Sequence, residues 1–186
     1  MTPIYHSNIE IKARASRPIE ELAHVCDKNG LRKEFCARQV DTYLNCPSGL
    51  LKIRTGQGPN PIIVHYSRTG TAAQLTSHWA AAVYQDCLTG ELKEGVIASS
   101  LADVLVAALG VTSRVTKVRE RWSNARVLVN LDRVEGLGQF VEIEILADRC
   151  SSSAEAEVLA GQWRSKLLVA DKDLVGVSYS LLQQPP

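Results

Sequence analysis

Charged residues of both signs recur at alternate positions in several short stretches of the sequence. Glu10, Lys12 and Arg14 alternate with apolar residues near the amino terminus, and Lys52 and Arg54 are spaced in the same way further along. Side chains at positions i and i+2 of a β-strand share one face. Each stretch therefore predicts a strand with one charged face and one apolar face.

Two later stretches repeat this spacing. Lys117 and Arg119 share one predicted strand face, and Glu142 and Glu144 share another. A single charged strand face is most often a solvated surface, but that interpretation weakens as more strands carry one. The accumulation suggests that the charged faces meet in one place.

The members of this set suit a metal ion and a phosphate chain. Carboxylate oxygens bind Mg²⁺ or Mn²⁺, which commonly bridge to substrate phosphates, and Arg and Lys bind phosphate oxygens directly. The candidate metal ligands are Glu10, Asp132, Glu142 and Glu144. The candidate substrate-binding residues are Lys12, Arg14, Lys52, Arg54, Arg68, Lys117, Arg119 and Arg126.

Periodicity and turn signals locate the elements that would position these residues. Alternation predicts seven strands, over residues 8–14, 35–44, 50–55, 61–68, 114–122, 126–132 and 139–147. Helices are predicted over residues 19–28, 100–109 and 151–166. No repeat or linker interrupts this order, so we expect a single domain over residues 1–186.

The three helices decide which way the charged strand faces point. Each helix must bury its apolar stripe, and the apolar strand faces are its natural partners. If the helices cover the outside of a curled sheet, the charged faces line its inside. A charged interior is stable only if it is wet, internally paired, or completed by an ion and a ligand. The pattern therefore predicts a tunnel rather than a packed core.

The overall charge argues against several classes of partner. The chain of 186 residues carries 21 Lys and Arg against 20 Asp and Glu, for a net charge of +1, which lacks the basic excess of a nucleic-acid binder. There is no signal-peptide pattern and no apolar stretch long enough to cross a bilayer, so we expect a cytoplasmic protein without a membrane partner. The five cysteines form no C-x-x-C pair, and we expect them to be reduced.

Four stretches of the sequence resemble the CYTH superfamily, which is named for class IV adenylyl cyclase and thiamine triphosphatase. The stretches cover residues 8–14, 39–43, 51–54 and 131–144, and the resemblance extends over nearly the whole chain. It implies an α+β fold in which eight antiparallel strands form a tunnel, closed or C-shaped, with a polar interior and helices packed outside. It also implies that the carboxylates bind Mg²⁺ or Mn²⁺ and that the Lys and Arg side chains bind a triphosphate. The candidate catalytic residues are Glu10, Lys12 and Asp132.

The sequence departs from the family pattern at three places. The usual E-x-E-x-K opening is Asn8-x-Glu10-x-Lys12 here, so one acidic metal ligand is replaced by a neutral residue. Leu50 stands where relatives often have Arg, and residues 74–76 lack a Lys found in relatives. Two missing bases should weaken the binding of the far end of a triphosphate.

These departures leave three functions open. The first is a metal-dependent enzyme acting on a phosphoanhydride or triphosphate, by hydrolysis or by cyclisation as in class IV adenylyl cyclase. The second is an enzyme that releases diphosphate from an organic diphosphate such as an isoprenoid, whose apolar tail would contact Leu50 and Leu75. The third is a non-catalytic binder of polyphosphate or nucleotide. In each case the partner is a small phosphate-chain molecule, and the protein is a monomer or homodimer.

Overall fold

A computed structural model describes residues 6–58, 60–83 and 100–183 of the chain. Within them lie eight β-strands and four α-helices. The strands are β1 (His6–Arg14), β2 (Arg32–Leu44), β3 (Leu50–Thr55), β4 (Ile62–Thr71), β5 (Gln74–Val83), β6 (Val111–Ser123), β7 (Val127–Val134) and β8 (Gly138–Leu146). The helices are α1 (Ile19–Lys28), α2 (Leu101–Leu109), α3 (Ser153–Lys166) and α4 (Tyr179–Leu182), with short 3₁₀ turns at Ala147–Arg149 and Asp171–Asp173.

The eight strands close into one barrel. Their order around the ring is β1-β5-β4-β3-β2-β6-β7-β8, and every neighbouring pair is antiparallel. The predicted α+β fold with a closed eight-stranded tunnel is thereby confirmed. Seven of its strands match stretches predicted from alternation. The eighth, β5, was not predicted from the residues, and it contains Trp79.

The main hydrophobic core lies outside the barrel, against β1, β7 and β8. The apolar faces of these strands supply residues such as Ile11, Val129 and Ile143. Helix α1 packs on them through Leu22, and α3 through Trp163. Because two helices cover the outside here, the opposite strand faces must point into the barrel, as the sequence predicts.

Helix α2 is less buried than α1 and α3. It begins at a capping box in which Ser100 Oγ accepts from the backbone N–H of Asp103, and the Asp103 carboxylate accepts from the backbone N–H of Ser100. However, none of its side chains is buried, and Leu101 and Val104 are exposed. Helix α2 contacts β2 on the outside of the barrel through half-buried residues such as Leu105 and Leu109, so its apolar stripe is covered only in part.

The carboxyl-terminal stretch crosses one end of the barrel. The backbone N–H of Val175 donates to the carbonyl oxygen of Lys12 over 2.8 Å, and Leu174 forms an antiparallel bridge with Ala13. These contacts bring α4, with the buried ring of Tyr179, against Phe140. A second, aromatic-rich hydrophobic cluster fills this end.

Two predictions concern membrane association and the cysteines. Among the helices in the described residues, none is long and apolar enough to span a membrane. Cys26, Cys36, Cys46 and Cys150 are free thiols, and Cys87 lies outside the described residues.

Candidate active site

The barrel encloses a cavity of about 730 Å³ that is lined by inward-facing side chains of its strands. Seven bases and five carboxylates of the strands occupy the described interior, and Arg149 and Asp148 of the 3₁₀ turn after β8 also line the cavity. The bases are Lys12, Lys52, Arg54, Arg68, Lys117, Arg119 and Arg121. The carboxylates are Glu10, Asp41, Asp132, Glu142 and Glu144. The interior therefore has a cationic surplus although the whole chain is nearly neutral.

Three cations converge on a single carboxylate on one wall. Arg54 binds Asp41 through two nitrogens, with Nε–Oδ1 2.6 Å and Nη2–Oδ2 2.8 Å. Lys117 Nζ lies 2.7 Å and Lys52 Nζ 3.2 Å from Asp41 Oδ2. We name Asp41, Lys52, Arg54 and Lys117 the cationic cluster. One negative charge cannot neutralise three positive charges, so the cluster can bind a further anion.

The pKa values of the cluster reflect the same excess of bases over carboxylates. Burial opposes ionisation of Asp41, but Lys52, Arg54 and Lys117 hold its pKa well below the usual range. Burial lowers the pKa of Lys117 to about 8, against the attraction of Asp41. Burial and the neighbouring Arg54 also lower the pKa of Lys52 well below its usual value. A bound phosphate chain would supply further negative charge, which favours the protonated form of these two amino groups.

The opposite wall carries a pair of carboxylates. Strand β2, which holds Asp41, lies four strands from β1 in either direction around the ring. On β1 and β8, Glu10 and Glu144 are direct cross-strand partners. Burial raises the pKa of Glu10, and the charges of Glu142 and Glu144 add to this effect while Arg68 opposes it. Two carboxylates placed directly opposite each other repel, and a cation bound between them would relieve this repulsion.

Amide groups hold the second member of this pair. Asn8 Nδ2 donates to Glu144 Oε2 over 3.1 Å, and Asn130 Nδ2 donates to Glu144 Oε1 over 2.6 Å. Asn8, the neutral residue at the departure from the family opening, is therefore a partner of the Glu144 carboxylate rather than an additional acidic ligand.

Glu142 joins three cations in the middle of the site. Its carboxylate lies 3.2 Å from Lys12 Nζ, 2.7 Å from Arg119 Nη2 and 3.8 Å from Arg68 Nη2. Burial opposes its ionisation, but Lys12, Arg119 and Arg68 hold its pKa well below the usual range. Arg68 also pairs with Glu10 over 2.7 Å. Glu142 therefore orients bases that face the cavity.

Asp132 is completely buried and bound on both oxygens. Arg119 forms a fork to it, with distances of 2.7 and 2.6 Å, and the hydroxyl of Tyr179 donates to Oδ2 over 2.8 Å. The Tyr179 ring lies 4.6 Å from Lys12 Nζ. Lys12, Glu142, Arg119, Asp132 and Tyr179 thus form a closed ring of contacts, in which Asp132 holds Arg119.

The structure brings most of the predicted site residues together and leaves two apart. Glu10, Glu142, Glu144 and six of the predicted bases line the one cavity, and Asp132 lies behind Arg119. Arg14 instead donates to the carbonyl oxygen of Leu137 and lies over the Phe140 ring. Arg126 pairs with Glu155 of α3 on the outer surface, at 2.7 Å. Neither residue lines the cavity.

Three residues of the site were not among the candidate metal ligands, substrate-binding residues or catalytic residues. Asp41 shares a strand face with Tyr43, and Arg121 shares one with Lys117 and Arg119, so alternation was a usable signal for both. Tyr179 gave no such signal, because it follows an irregular stretch and reaches the site only through the path of the carboxyl-terminal chain. Leu50 and Leu75, the expected contacts for an apolar tail, lie outside the cavity lining.

The donor set fits a divalent ion that keeps part of its water shell. Within the described residues, no group of three or more His, Cys, Asp or Glu side chains is arranged to hold a metal. The pair Glu10 and Glu144 nevertheless offers carboxylate oxygens in register, with Arg68 beside Glu10. Mg²⁺ is typically bound by one or two carboxylates together with waters and substrate phosphates. A metal completed by the substrate is consistent with this arrangement.

Comparison with known proteins gives the family. A family model described as the CYTH domain matches residues 6–179. The chain belongs to the CYTH family. No curated protein matches it by sequence. The PH1012 protein of Pyrococcus horikoshii shares the CYTH fold, with a TM-score of 0.73, 21% identity, and coverage of 94% of this chain and 98% of that one.

Two further structures share the CYTH fold at lower identity. One is a Vibrio parahaemolyticus protein provisionally named an adenylate cyclase, with a TM-score of 0.67, 13% identity, and coverage of 95% of this chain and 97% of that one. The other is a chain of the Schizosaccharomyces pombe Mediator head module, with a TM-score of 0.58, 8% identity, and coverage of 89% and 95%. At these identities the likeness concerns the fold alone. The function of this CYTH domain must therefore be argued from its own site.

Proposed function

We propose that this CYTH domain is a metal-dependent enzyme that acts on the phosphoanhydride of a triphosphate-like substrate bound in the barrel. The observation that carries the proposal is the cationic cluster, in which three buried cations share the Asp41 carboxylate. Buried charge without a counter-charge is unfavourable, so the arrangement favours an anionic ligand. It faces the Glu10–Glu144 pair, where a metal would neutralise the ligand from the other side.

Each group has a role that follows from its surroundings. Glu10 and Glu144 would hold Mg²⁺ or Mn²⁺, with Glu142 nearby; such an ion polarises the phosphoryl oxygens and neutralises charge that develops on them. Lys12, Arg68 and Arg119 would bind the phosphate at the metal end, and the cationic cluster would stabilise the departing phosphate. Asp132 would act by holding Arg119 in place.

Glu10 is the best candidate for moving a proton. Its carboxylate faces the cavity beside Arg68 and Lys12, where a phosphate and its attacking group would lie. In hydrolysis it would accept a proton from the attacking water. In cyclisation it would accept one from an attacking hydroxyl of the substrate. The electrostatic roles of the bases are the same in both reactions.

A second candidate function is the release of diphosphate from an organic diphosphate. The specific observation in its favour is that aliphatic side chains, among them Ile62, Leu128 and Leu146, line the same cavity as the charges. An organic group could contact them while the diphosphate occupies the charged part. The C–O bond would break with its electron pair leaving on the diphosphate, whose charge the bases and the metal would neutralise. The carbocation left behind would lose a proton to form an alkene or would be captured by water.

The decisive experiment is a turnover screen with Mg²⁺ and with Mn²⁺. Release of phosphate or diphosphate is measured from tripolyphosphate, thiamine triphosphate, ATP and isoprenoid diphosphates. Glu10→Gln keeps the shape of the side chain but removes the charge and the proton acceptor. We expect it to lower kcat by about 100-fold or more, and chelation of the metal to abolish turnover.

The matched control is Glu157→Gln, because Glu157 is an exposed residue of α3 outside the barrel. It should turn over substrate as the unmodified protein does. If no substrate is turned over while tripolyphosphate still binds without Mg²⁺, the protein is a polyphosphate or nucleotide binder and the enzymatic proposal is wrong.

A further inference from the structure

We propose that the phosphate chain of the substrate is attached to an aliphatic organic group, which binds inside the barrel against a wall of apolar side chains. This inference rests on the proposed function, because the phosphate chain must occupy the charged part of the same cavity. The residues concerned are together named the aliphatic wall and lie on two sides of the cavity. Ile62, Val64, Trp79 and Ala81 belong to β4 and β5, and Leu128 and Leu146 belong to β7 and β8.

The aliphatic wall is not a piece of the hydrophobic core. Val64 and Trp79 pack at the edge of the aromatic-rich cluster. In contrast, Ile62, Leu128 and Leu146 belong to neither of the hydrophobic clusters found in the described part of the chain, although they point inward and line the cavity. Their apolar surface has no core partner there. A ligand that covered it would gain the free energy of removing this surface from water.

Strand register places the aliphatic wall directly beside the charged groups. Leu128 is the cross-strand partner of Glu144, and Leu146 is the partner of Asn8, which binds Glu144. On the other side of the barrel, Ile62 is the partner of Arg54 in the cationic cluster. A single ligand can therefore place phosphates on the bases and an attached apolar group on the wall.

The volume of the cavity and the aromatic residue at its edge agree with binding of an organic group. A volume of about 730 Å³ lies in the range of cavities that hold whole organic ligands, about 300–1,000 Å³. Trp79 supplies a broad apolar surface next to the His6 ring, at a centroid distance of 4.9 Å. Its Nε1 is buried without an acceptor among the described residues. Polar and apolar recognition elements thus occur together.

The test is the dependence of affinity on alkyl chain length. Methyl, butyl and octyl diphosphate are titrated calorimetrically into the protein with Mg²⁺, and tripolyphosphate serves as the chain-free reference. Each methylene that enters the aliphatic wall should tighten binding about fourfold. Burial of little more than two of the seven additional methylenes makes octyl diphosphate bind about 20-fold more tightly than methyl diphosphate. We expect at least this difference, with a more negative heat-capacity change.

Two variants localise the effect. Leu128→Asn should reduce the preference for octyl over methyl diphosphate by about fivefold, because a polar amide replaces apolar contact surface. Its affinity for octyl diphosphate should fall much more than its affinity for tripolyphosphate. Val158→Asn is the control: Val158 is an apolar residue on α3 that is 61% exposed, and its replacement should alter neither affinity.

The outcomes separate this inference from the proposed function. If tripolyphosphate binds but methyl and octyl diphosphate bind equally, the aliphatic group is excluded and the phosphate site stands. A chain-length preference that Leu128→Asn leaves intact would show that the alkyl group binds elsewhere, which also overturns the inference. If neither tripolyphosphate nor any diphosphate binds, the proposed function itself fails.

Discussion

Asp41 is the carboxylate that the three bases of the cationic cluster share, which makes its removal informative. Its carboxylate accepts from Lys52, Arg54 and Lys117 and is 1% exposed. Asp41→Asn leaves three buried cations without a counter-charge, and loss of one partner of a buried pair typically costs about 3–5 kcal/mol of stability. We expect a lower melting temperature, most of which added tripolyphosphate restores. The measurement is the melting temperature with and without tripolyphosphate.

The ligand-induced rise in melting temperature should be larger for Asp41→Asn than for the unmodified protein, because the ligand then replaces a lost charge. Glu157→Gln on the surface provides the control. An equal rise in all three proteins would show that the ligand does not replace the charge of Asp41.

Lys117 should make anion binding sensitive to alkaline pH. Burial lowers its pKa to about 8, so the free protein loses this positive charge as the pH rises through that value. Affinity for tripolyphosphate should therefore fall between pH 7 and about pH 9. In Lys117→Arg the guanidinium stays charged over this range, so the fall should be smaller.

The measurement compares the dissociation constants of the two proteins at each pH, because titration of the ligand itself affects both equally. Lys52, whose pKa is also lowered, is present in both proteins, so its titration contributes to the fall in affinity of each. The same pH profile for both proteins would remove Lys117 from the list of titrating groups in the binding site.

At the scale of elements, the short helix α4 places Tyr179 where it touches several parts of the site. The hydroxyl donates to Asp132, and the ring lies against Lys12 and, at 5.9 Å, Lys117. Tyr179→Phe removes only the hydroxyl, which should cost about 1.5–3 kcal/mol because the acceptor is charged. Tyr179→Leu also removes the ring and should lower kcat further. Urea denaturation and steady-state kinetics measure the two effects.

A positioning role for Tyr179 predicts a particular kinetic pattern. The Phe variant should lose kcat with little change in KM, because Arg119 loses its fixed orientation through Asp132. The Leu variant should also raise KM, because Lys12 and Lys117 lose the ring against which they pack. If both variants lose stability but keep kcat and KM, Tyr179 only closes the end of the barrel.

The sequence predicts a strand when the strand's own residues alternate between polar and apolar types. It does not predict a strand that is defined mainly by pairing with its neighbours. Strand β1 alternates strictly between polar and apolar residues, and its charged face and its apolar face are both in the predicted places. Strand β5 has no such alternation: its inward residues Ser77, Trp79 and Ala81 are as mixed as its outward ones, so only pairing with β1 and β4 defines it.

The same distinction applies to the site. Glu10, Lys52 and Lys117 were identified because each lies in phase with another charged residue on its strand. Arg14 and Arg126 were also in phase, but they lie at strand ends, where the side chain can turn to Leu137 or to Glu155 on the outside. Alternation predicts which face of the sheet a side chain occupies within a strand. At the end of a strand, the orientation of the side chain depends on tertiary contacts.

At the scale of the whole molecule, the site is built from nearly every strand of the barrel. Its charged residues come from seven of the eight strands, and β5 contributes none to the described group. A ligand that bridges the cationic cluster and the Glu10–Glu144 pair connects opposite walls of the ring. A ligand that binds only the folded state stabilises it by about 2.7 kcal/mol at a concentration 100 times its dissociation constant.

This connection predicts where protection from hydrogen exchange should increase. With Mg²⁺ and tripolyphosphate, amides of all eight strands should exchange more slowly, since their slowest exchange requires opening of the closed barrel. Helix α2, which buries no side chain, should exchange at an unchanged rate and serves as an internal control. Thermal unfolding should remain a single transition, as expected of one domain. Protection confined to β1 and β8 would instead mean that the ligand binds the carboxylate wall alone, without bridging to the cationic cluster.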